Sequence, residues 1–434
     1  FLAFILLWLY QGLRLFFGAD FLSFEIFTLT TSNILGKWND LAIFFGLGTI
    51  MTLVTLANLE LSRLFRRILY VMLVVSLFFL AVVNFNVVWI VVGIFALGFF
   101  VHSLGITKFK WRNTEAEISP NVQGRTGSNA MTLASLTVLI VSTLFILGSG
   151  SFGNTVSTYF NISQIEARPS WQTTINIGRQ TYNNDLLFGS GPNTFTRQWG
   201  LFKPREVNET VFWNTDFIAG IGTIPTSFIT TGVLGTIAWV AFLVLFISTG
   251  LRKLILSPSD NRFSYYISLS SFLGALYLWV LTVFYTPNVV IFTLAFFLTA
   301  IFAASLRHHT VPFREKILDF ANNPKTRFIS VLGLTFLLLV SIVGTYSVGK
   351  QYIATTHFQK GIVIVNTTGD LGKAETLFTR ALDASESDRG HLEDLLAEVI
   401  PNRSAQPLRS EQVRLSIPSR SLVHGDLLLP LVTR

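Results

Sequence analysis

The chain has 434 residues, of which 51% are hydrophobic and 13% are charged, and its formal net charge is +8 at pH 7. A soluble core of this size does not normally hold so many apolar side chains, so the composition favours an integral membrane protein. The basic balance is typical of cytoplasmic loops rather than of a nucleic-acid-binding surface. The chain contains no Cys, which excludes disulfides and thiolate chemistry.

Nine apolar segments are each about 17 residues long or longer, enough for a helix to cross about 30 Å of hydrocarbon. They lie near 1–17, 39–58, 68–84, 86–103, 131–149, 223–250, 263–284, 288–306 and 328–348. These segments predict an all-α, multi-pass membrane protein. The first has neither an initiator Met nor a basic region ahead of a cleavage site, so it is not a signal peptide. We interpret the chain as a fragment that lacks upstream spans.

Basic residues mark one set of connections between these spans, and Lys and Arg accumulate in cytoplasmic loops. The short loops at 84–86 and 285–288 carry none. This asymmetry predicts that the N-terminus is inside and that residues 150–222 and everything after 348 are outside. The connections after the second, fourth, sixth and eighth spans carry Arg63, Arg66, Arg67, Lys108, Lys110, Arg112, Arg125, Arg252, Lys253, Arg262, Arg307, Arg314, Lys316, Lys325 and Arg327.

The predicted organisation has five parts. N-terminal spans occupy 1–149, an external loop occupies 150–222, and further spans occupy 223–349. A helical hairpin over 350–400 and a tail over 401–434 complete the chain. The tail is rich in Arg, Ser and Pro without periodicity, so we interpret it as disordered or truncated.

The external loop is far longer than ordinary connections, and loops of this length are usually functional or disordered. Its aromatic content is too high for a solvated coil, so we predict a small folded cap on the outer membrane face. The aromatic residues are Trp171, Tyr182, Phe188, Phe195, Trp199, Phe202, Phe212, Trp213 and Phe217.

A glycine turn lies inside this loop, where Gly189 and Gly191 bracket Ser190 and precede Pro192. Glycine can adopt backbone conformations closed to other residues, and the proline then stiffens the turn. Exposed N–H groups in such a turn form an anion-binding nest, although the same pattern also occurs in ordinary turns. It is not a dinucleotide-binding fingerprint, because no βαβ pattern surrounds it.

Four short motifs together resemble the O-antigen ligase and polymerase-like family. They are "EARPSW" at 166–171, "LLFGSGPNTF" at 186–195, "FWNTDF" at 212–217 and "TTGVLG" at 230–235. The resemblance covers about 1–350 and is nearest to a subgroup with C-terminal tetratricopeptide repeats. It implies a GT-C-like fold in the bacterial inner membrane. It also implies transfer of a glycan from a polyprenyl diphosphate carrier to an external glycan, glycolipid or protein acceptor, with no metal or other cofactor.

The same resemblance implies roles for individual residues. Arg168 matches the loop Arg that faces the donor's diphosphate, and a guanidinium suits this role because it makes bidentate, permanently charged contacts with phosphate. Gly189 and Gly191 match the Gly-x-Gly turn. Arg125 matches a further Arg of the family, although the predicted topology places it near the inside. We expect Lys203 or Arg205 to act as a second cation.

The chain departs from the family pattern at the expected base. Such ligases carry a His late in the loop, whereas this region reads "FIAGIGTIPT" and the loop contains no His. The nearest carboxylates are Asp216 and Glu209, either of which would serve as base if burial raised its pKa. An alternative is that both simply pair with Lys203 or Arg205.

The segment 356–385 follows the last span and predicts a hairpin of two helices. Ala374, Phe378 and Ala381 have the spacing of the second helix of a tetratricopeptide repeat, with "NTTGD" as the turn. A single repeat cannot bury its own face, because about three are needed. If the hairpin is part of a repeat array, it would bind a protein partner.

Two other functions remain open. A secondary transporter or a flippase for lipid-linked glycans would normally carry ionisable residues within its spans, and the spans from 39 to 348 have essentially none except His102. A membrane-anchored tetratricopeptide scaffold would need only one or two helices. The sequence therefore favours a membrane glycan transferase that also contacts lipid.

Overall fold

The computed structural model describes residues 1–24, 27, 29–114, 126–160, 162, 167–183, 185–210, 212–213, 215–256, 262–306 and 324–384. Within these ranges the regular structure is helical, apart from one isolated bridge between Asn33 and Gly36. The predicted all-α class is confirmed for the described residues. They divide into two compact units, one with the described residues of 1–18 and 29–306 and the other with those of 19–27 and 324–384.

The first unit contains the helix bundle and the cap. Two short helical turns accompany its α-helices, a π-helical turn at Ser149–Gly153 and a 3-10 turn at Arg205–Glu209. The α-helices are α1 Leu2–Phe17, α2 Trp38–Asn58, α3 Arg63–Val83, α4 Asn86–Thr114, α5 Thr126–Leu147, α6 Asn154–Tyr159, α7 Trp171–Tyr182, α8 Phe195–Phe202, α9 Thr223–Leu256, α10 Arg262–Phe284 and α11 Val289–Ser305.

Each predicted span coincides with a helix, although nine crossings remain a prediction. Three of these helices, Leu2–Phe17, Met131–Leu147 and Val289–Ser305, are apolar but shorter than a full span. The helices in the described residues that are long and apolar enough to cross a membrane are Trp38–Asn58, Arg63–Val83, Asn86–Leu104, Thr223–Lys253, Arg262–Phe284 and Arg327–Val365.

Helix α2 lies at the centre of the bundle, and 89% of its most apolar window is buried. It is hydrophobic on all sides, as expected for a helix surrounded by other helices. Gly46 allows α10 to approach closely, because a Cβ there would lie 2.1 Å from the hydroxyl of Tyr277. That hydroxyl donates a hydrogen bond to the carbonyl of Ile43 at 3.0 Å, so a buried polar group is satisfied by the neighbouring helix.

Alternate connections lie at opposite ends of the bundle. At one end, which we call the cap end, the backbone N–H of Thr223 donates to the carbonyl of Tyr285 at 3.3 Å. Phe85, Arg168 and Lys37 also contact residues 284–286 at this end. At the other end, Arg262 forms an ion pair with Glu60 between two further connections. This alternation is what the predicted topology requires, and the side of the membrane that each end faces remains a prediction.

The second unit contains α12 (Pro324–Thr367) and α13 (Leu371–Ala384), which form the predicted hairpin. Gly369 has a φ of 67° in the turn, and Ala374, Phe378 and Ala381 are buried against α12. The ring of Phe378 packs where Gly361 leaves space for it. Whether the hairpin belongs to a tetratricopeptide array remains a prediction, and the tail over 401–434 lies outside the described residues.

Candidate functional site

The described residues of the loop that is predicted to be external form a folded cap, which shares a small apolar core with α9. Ile177 of α7, Phe195 and Trp199 of α8, and Ile229 of α9 are buried together. The indole N–H of Trp199 donates to the carbonyl of Thr215 at 3.0 Å. Of the aromatic residues that predict a folded cap, Phe195 and Trp199 form this core and Phe202 and Phe217 pack against it, whereas Trp171, Phe188 and Trp213 are exposed. Helix α8 is held by both packing and a hydrogen bond.

Helix α9 is broken at Gly232, which has φ 65° and ψ −161°. The glycine turn of the cap lies against this break. Two intrahelical hydrogen bonds, from the N–H groups of residues 233 and 234, are replaced by four bonds to the cap. These are Ser190 N to Ile229 O at 3.2 Å, Gly191 N to Thr230 O at 2.9 Å, Val233 N to Leu186 O at 3.0 Å and Leu234 N to Leu187 O at 3.3 Å.

These four hydrogen bonds give partners to backbone groups at both of the helix ends that the break creates. An interrupted helix within a membrane is tolerated only where its freed backbone groups find partners in the protein. The N–H groups of Ser190 and Gly191 are engaged in those bonds, so in this conformation they are not free to form an anion nest. Gly189 and Gly191 therefore dock the cap on α9, and their predicted contact with substrate stays a prediction.

Arg168 anchors the start of the cap on the end of α10. It lies three residues before α7, is half-buried, and donates from its guanidinium to the carbonyl of Phe284. The same guanidinium lies over the ring of Phe85, 5.7 Å from its centroid. A cation is stabilised at a helix C-terminus, where the last carbonyls carry partial negative charge. This geometry fixes Arg168, the residue that the sequence predicts to bind the diphosphate, at the cap end.

A second basic residue, Lys37, lies at the same end of α10. Its ammonium group is 5.9 Å from the ring centroid of Tyr285 and 3.5 Å from the carbonyl of Thr286. Tyr285 in turn packs edge-to-face on Phe85, at 5.2 Å between centroids. Lys37 was not among the residues that the sequence predicts for the site. The signal that could have identified it is Asp40 ahead of an apolar run, because an acidic residue there indicates a helix start just after Lys37.

Asp40 holds the backbone of Lys37 beside the connection at 285–288. It is fully buried, accepting from the N–H of Lys37 at 3.0 Å and from the N–H of Asn288 at 3.2 Å. The carboxylate therefore caps α2 and ties its start to the start of α11.

The other predicted site residues lie elsewhere in the cap or outside the described residues. The ammonium of Lys203 donates to the carbonyl of Trp213 at 2.8 Å, a different partner from those of Arg168. Arg205 and Glu209 are exposed at the two ends of the 3-10 turn, and Asp216 is half-buried. Arg125 lies outside the described residues, so its predicted place near the inside is not tested.

The described part of the chain contains no group of three or more His, Asp or Glu side chains arranged to hold a metal ion. What the cap end presents instead is the positive charge of Arg168 and Lys37 beside aromatic rings, carbonyl groups and the buried carboxylate of Asp40. Such a set can bind and orient an anionic group.

Comparison with protein-family models, with curated proteins and with solved structures finds no match for this chain. No relative therefore assigns a role to these residues, and the resemblance to O-antigen ligases rests on the four sequence motifs.

Proposed function

We propose that this chain is a membrane glycan transferase of the O-antigen ligase and polymerase-like type. It would move a glycan from a polyprenyl diphosphate carrier to an acceptor outside the inner membrane. The observation that carries the proposal is the position of Arg168. This residue belongs to one of the four motifs, and it lies at the junction of a folded cap and the end of a long apolar helix.

The chemistry demands a cation at this boundary. A diphosphate beside hydrocarbon has lost part of its hydration, so fixed positive charge must compensate for it. The carrier's lipid would remain in the membrane beside the bundle, while its glycan would extend from the bundle under the cap. Arg168 lies where those two environments meet if the cap end faces outward, as the positions of Lys and Arg predict.

Two carboxylates of the cap, Asp216 and Glu209, are the candidates for the general base. Asp216 is half-buried in the segment that leads to Phe217, whose ring packs on Trp199 at 4.7 Å. Glu209 is exposed. A general base must be held in place and partly shielded from water, so Asp216 is the better candidate of the two.

The transporter alternative finds little support among the described residues. The buried charged side chains there are Arg14, Asp40 and Lys253, and each lies within the first or last turns of its helix. A proton or ion pathway would place such groups along the middle of the spans.

An in vitro transfer assay tests the proposal. The full-length protein is supplied with a short-chain polyprenyl diphosphate glycan and membrane acceptors, and product and free carrier are measured. We expect transfer by the wild type, reduced transfer by Arg168→Lys, and a larger loss in Arg168→Ala. Arg179→Ala is the matched control, because Arg179 is an exposed Arg in the same cap. Equal activity of Arg168→Ala and Arg179→Ala would contradict the assigned role.

A further inference from the structure

Two cations converge on the end of α10. Arg168 donates to the carbonyl of Phe284, and Lys37 reaches the carbonyl of Thr286 at 3.5 Å. These carbonyls belong to residues two positions apart, and two residues of even a fully extended chain span at most about 7 Å. The two cations come from distant parts of the sequence, yet the fold brings them to one short segment.

Aromatic rings connect the two cations. Arg168 lies over Phe85, Phe85 packs on Tyr285, and Lys37 lies over Tyr285. Rings in this arrangement hold cations in place and keep water away from them. Both charges are therefore fixed in a partly apolar setting, which strengthens their attraction for an anion.

The backbone around Lys37 is rigidly held. The side-chain amide of Asn33 donates to the carbonyl of Lys37 at 3.3 Å, and the guanidinium of buried Arg14 donates to the carbonyl of Ser32. Gly36 has a φ of 125°, and a Cβ there would lie 2.0 Å from the side-chain amide nitrogen of Asn288. The position of Lys37 is thus determined by the fold, as a binding residue requires.

A polar atom beside Lys37 lacks a partner. The hydroxyl oxygen of Thr286 is shielded from solvent and has no hydrogen-bond partner among the described residues. A buried hydroxyl without a partner carries a desolvation cost, which a ligand or an ordered water would relieve. This observation is independent of the charges, and a ligand oxygen that accepts a hydrogen bond would supply the missing partner.

We infer that Lys37 and Thr286 complete the diphosphate site of Arg168, and that Lys37, rather than Lys203 or Arg205, is its second cation. The inference rests on the proposed function, because it identifies the ligand as the donor's diphosphate. A diphosphate has more than one charged group, so two cations held at one short segment can contact it together. The ammonium of Lys203 donates to the carbonyl of Trp213 rather than to the segment 284–286 that Arg168 and Lys37 share.

Binding of a short-chain polyprenyl diphosphate to the purified full-length protein tests this inference, with the matching monophosphate as a second probe. Lys37→Met removes the charge and keeps an unbranched side chain. We expect it to weaken diphosphate binding by roughly tenfold, and to weaken monophosphate binding less. Lys37→Arg should retain most of the affinity. Arg179→Gln, at an exposed position of the cap, should bind as the wild type does.

Thr286→Val gives a second measurement that does not depend on charge. Because the hydroxyl has no partner in the free protein, its replacement by a methyl group should leave the thermal stability unchanged or raise it. Diphosphate affinity should nevertheless fall several-fold. A purely structural role for Thr286 would leave that affinity unchanged.

The outcomes separate this inference from the proposed function. If Lys37→Met binds like the wild type while Arg168→Ala is impaired, Lys37 is not part of the site and the proposed function stands. If Lys203→Met is impaired and Lys37→Met is not, the sequence-based choice of second cation is right and the inference is wrong. If neither Lys37→Met nor Arg168→Ala changes binding, both the inference and the proposed function fail.

Discussion

Gly189 of the cap and Gly232 of α9 cross so closely that neither position has room for a side chain. A Cβ at Gly189 would lie 2.6 Å from the backbone nitrogen of Gly232, and a Cβ at Gly232 would lie 2.5 Å from that of Gly189. Both residues have positive φ, at 67° and 65°. At this crossing the cap contacts the bundle through backbone atoms. Glycine is therefore required in both of the crossing segments.

Alanine at either glycine should therefore detach the cap. We expect Gly189→Ala and Gly232→Ala each to cost more than about 2 kcal/mol, from positive φ and from contact with backbone that cannot move aside. Apparent melting temperature and protease resistance of the cap would report the loss. Gly200→Ala is the control, because Gly200 is helical in α8 and its Cβ would meet nothing within 4 Å. Alanine there should be neutral or slightly stabilising, and an equal loss in all three variants would contradict the crossing.

The cap and the opposite end of the bundle should be accessible from different sides of the membrane. The chain has no native Cys, so a single Cys can be placed at exposed Arg179 in the cap or at exposed Arg252 near the end of α9. In intact spheroplasts, an impermeant thiol reagent should label Arg179→Cys and spare Arg252→Cys until the membrane is permeabilised. The reverse pattern would invert the topology and remove the diphosphate site from the external face.

Transfer should not require a divalent metal ion. The described residues form no cluster of three His, Asp or Glu, and the site that we propose uses fixed cations in the role that Mg²⁺ has in many phosphate sites. We expect transfer to persist in excess chelator. Loss of activity in chelator followed by recovery with Mg²⁺ or Mn²⁺ would show that a metal is needed after all.

The C-terminal hairpin should depend on Phe378. This ring is buried against Gly361 and packs on Phe358 at 5.4 Å between centroids. We expect Phe378→Ala to increase hydrogen exchange in α13, because removing a buried aromatic ring leaves a cavity that the small cluster cannot fill. Exposed Arg380 offers a control in the same helix. If the amide hydrogens of α13 exchange at the same rate in Phe378→Ala and Arg380→Ala, the hairpin is not held by the packing of Phe378.

Length and apolar composition were sufficient to predict the helices of the bundle, because each predicted span is a continuous apolar segment. The predicted hairpin spacing also matches the buried residues Ala374, Phe378 and Ala381. In both cases the signal is local, since residues within one segment determine whether that segment forms a helix and which face it buries.

The site was less predictable because its contacts join distant segments. The motif containing Gly189 and the motif containing Gly232 were both recognised, but their sequences do not show that one docks on the other. Lys37 was missed for the same reason, since its neighbours Tyr285 and Thr286 lie about 250 positions along the chain. Arg14 was also missed, although its buried guanidinium donates to the carbonyl of Leu29 at 2.7 Å and helps to hold that segment.

Donor affinity per folded molecule in Arg168→Ala is the measurement that tests the account most directly. We predict that the folded variant binds a short-chain polyprenyl diphosphate at least about tenfold more weakly than the wild type, because a charge-assisted hydrogen bond contributes roughly 1.5–3 kcal/mol. The donor affinity of Arg168→Lys should lie between those of the wild type and Arg168→Ala, since lysine keeps the charge and loses the planar guanidinium. If instead Arg168→Ala has a lower melting temperature and unchanged donor affinity, Arg168 only anchors the cap on Phe284 and the proposed diphosphate site is wrong.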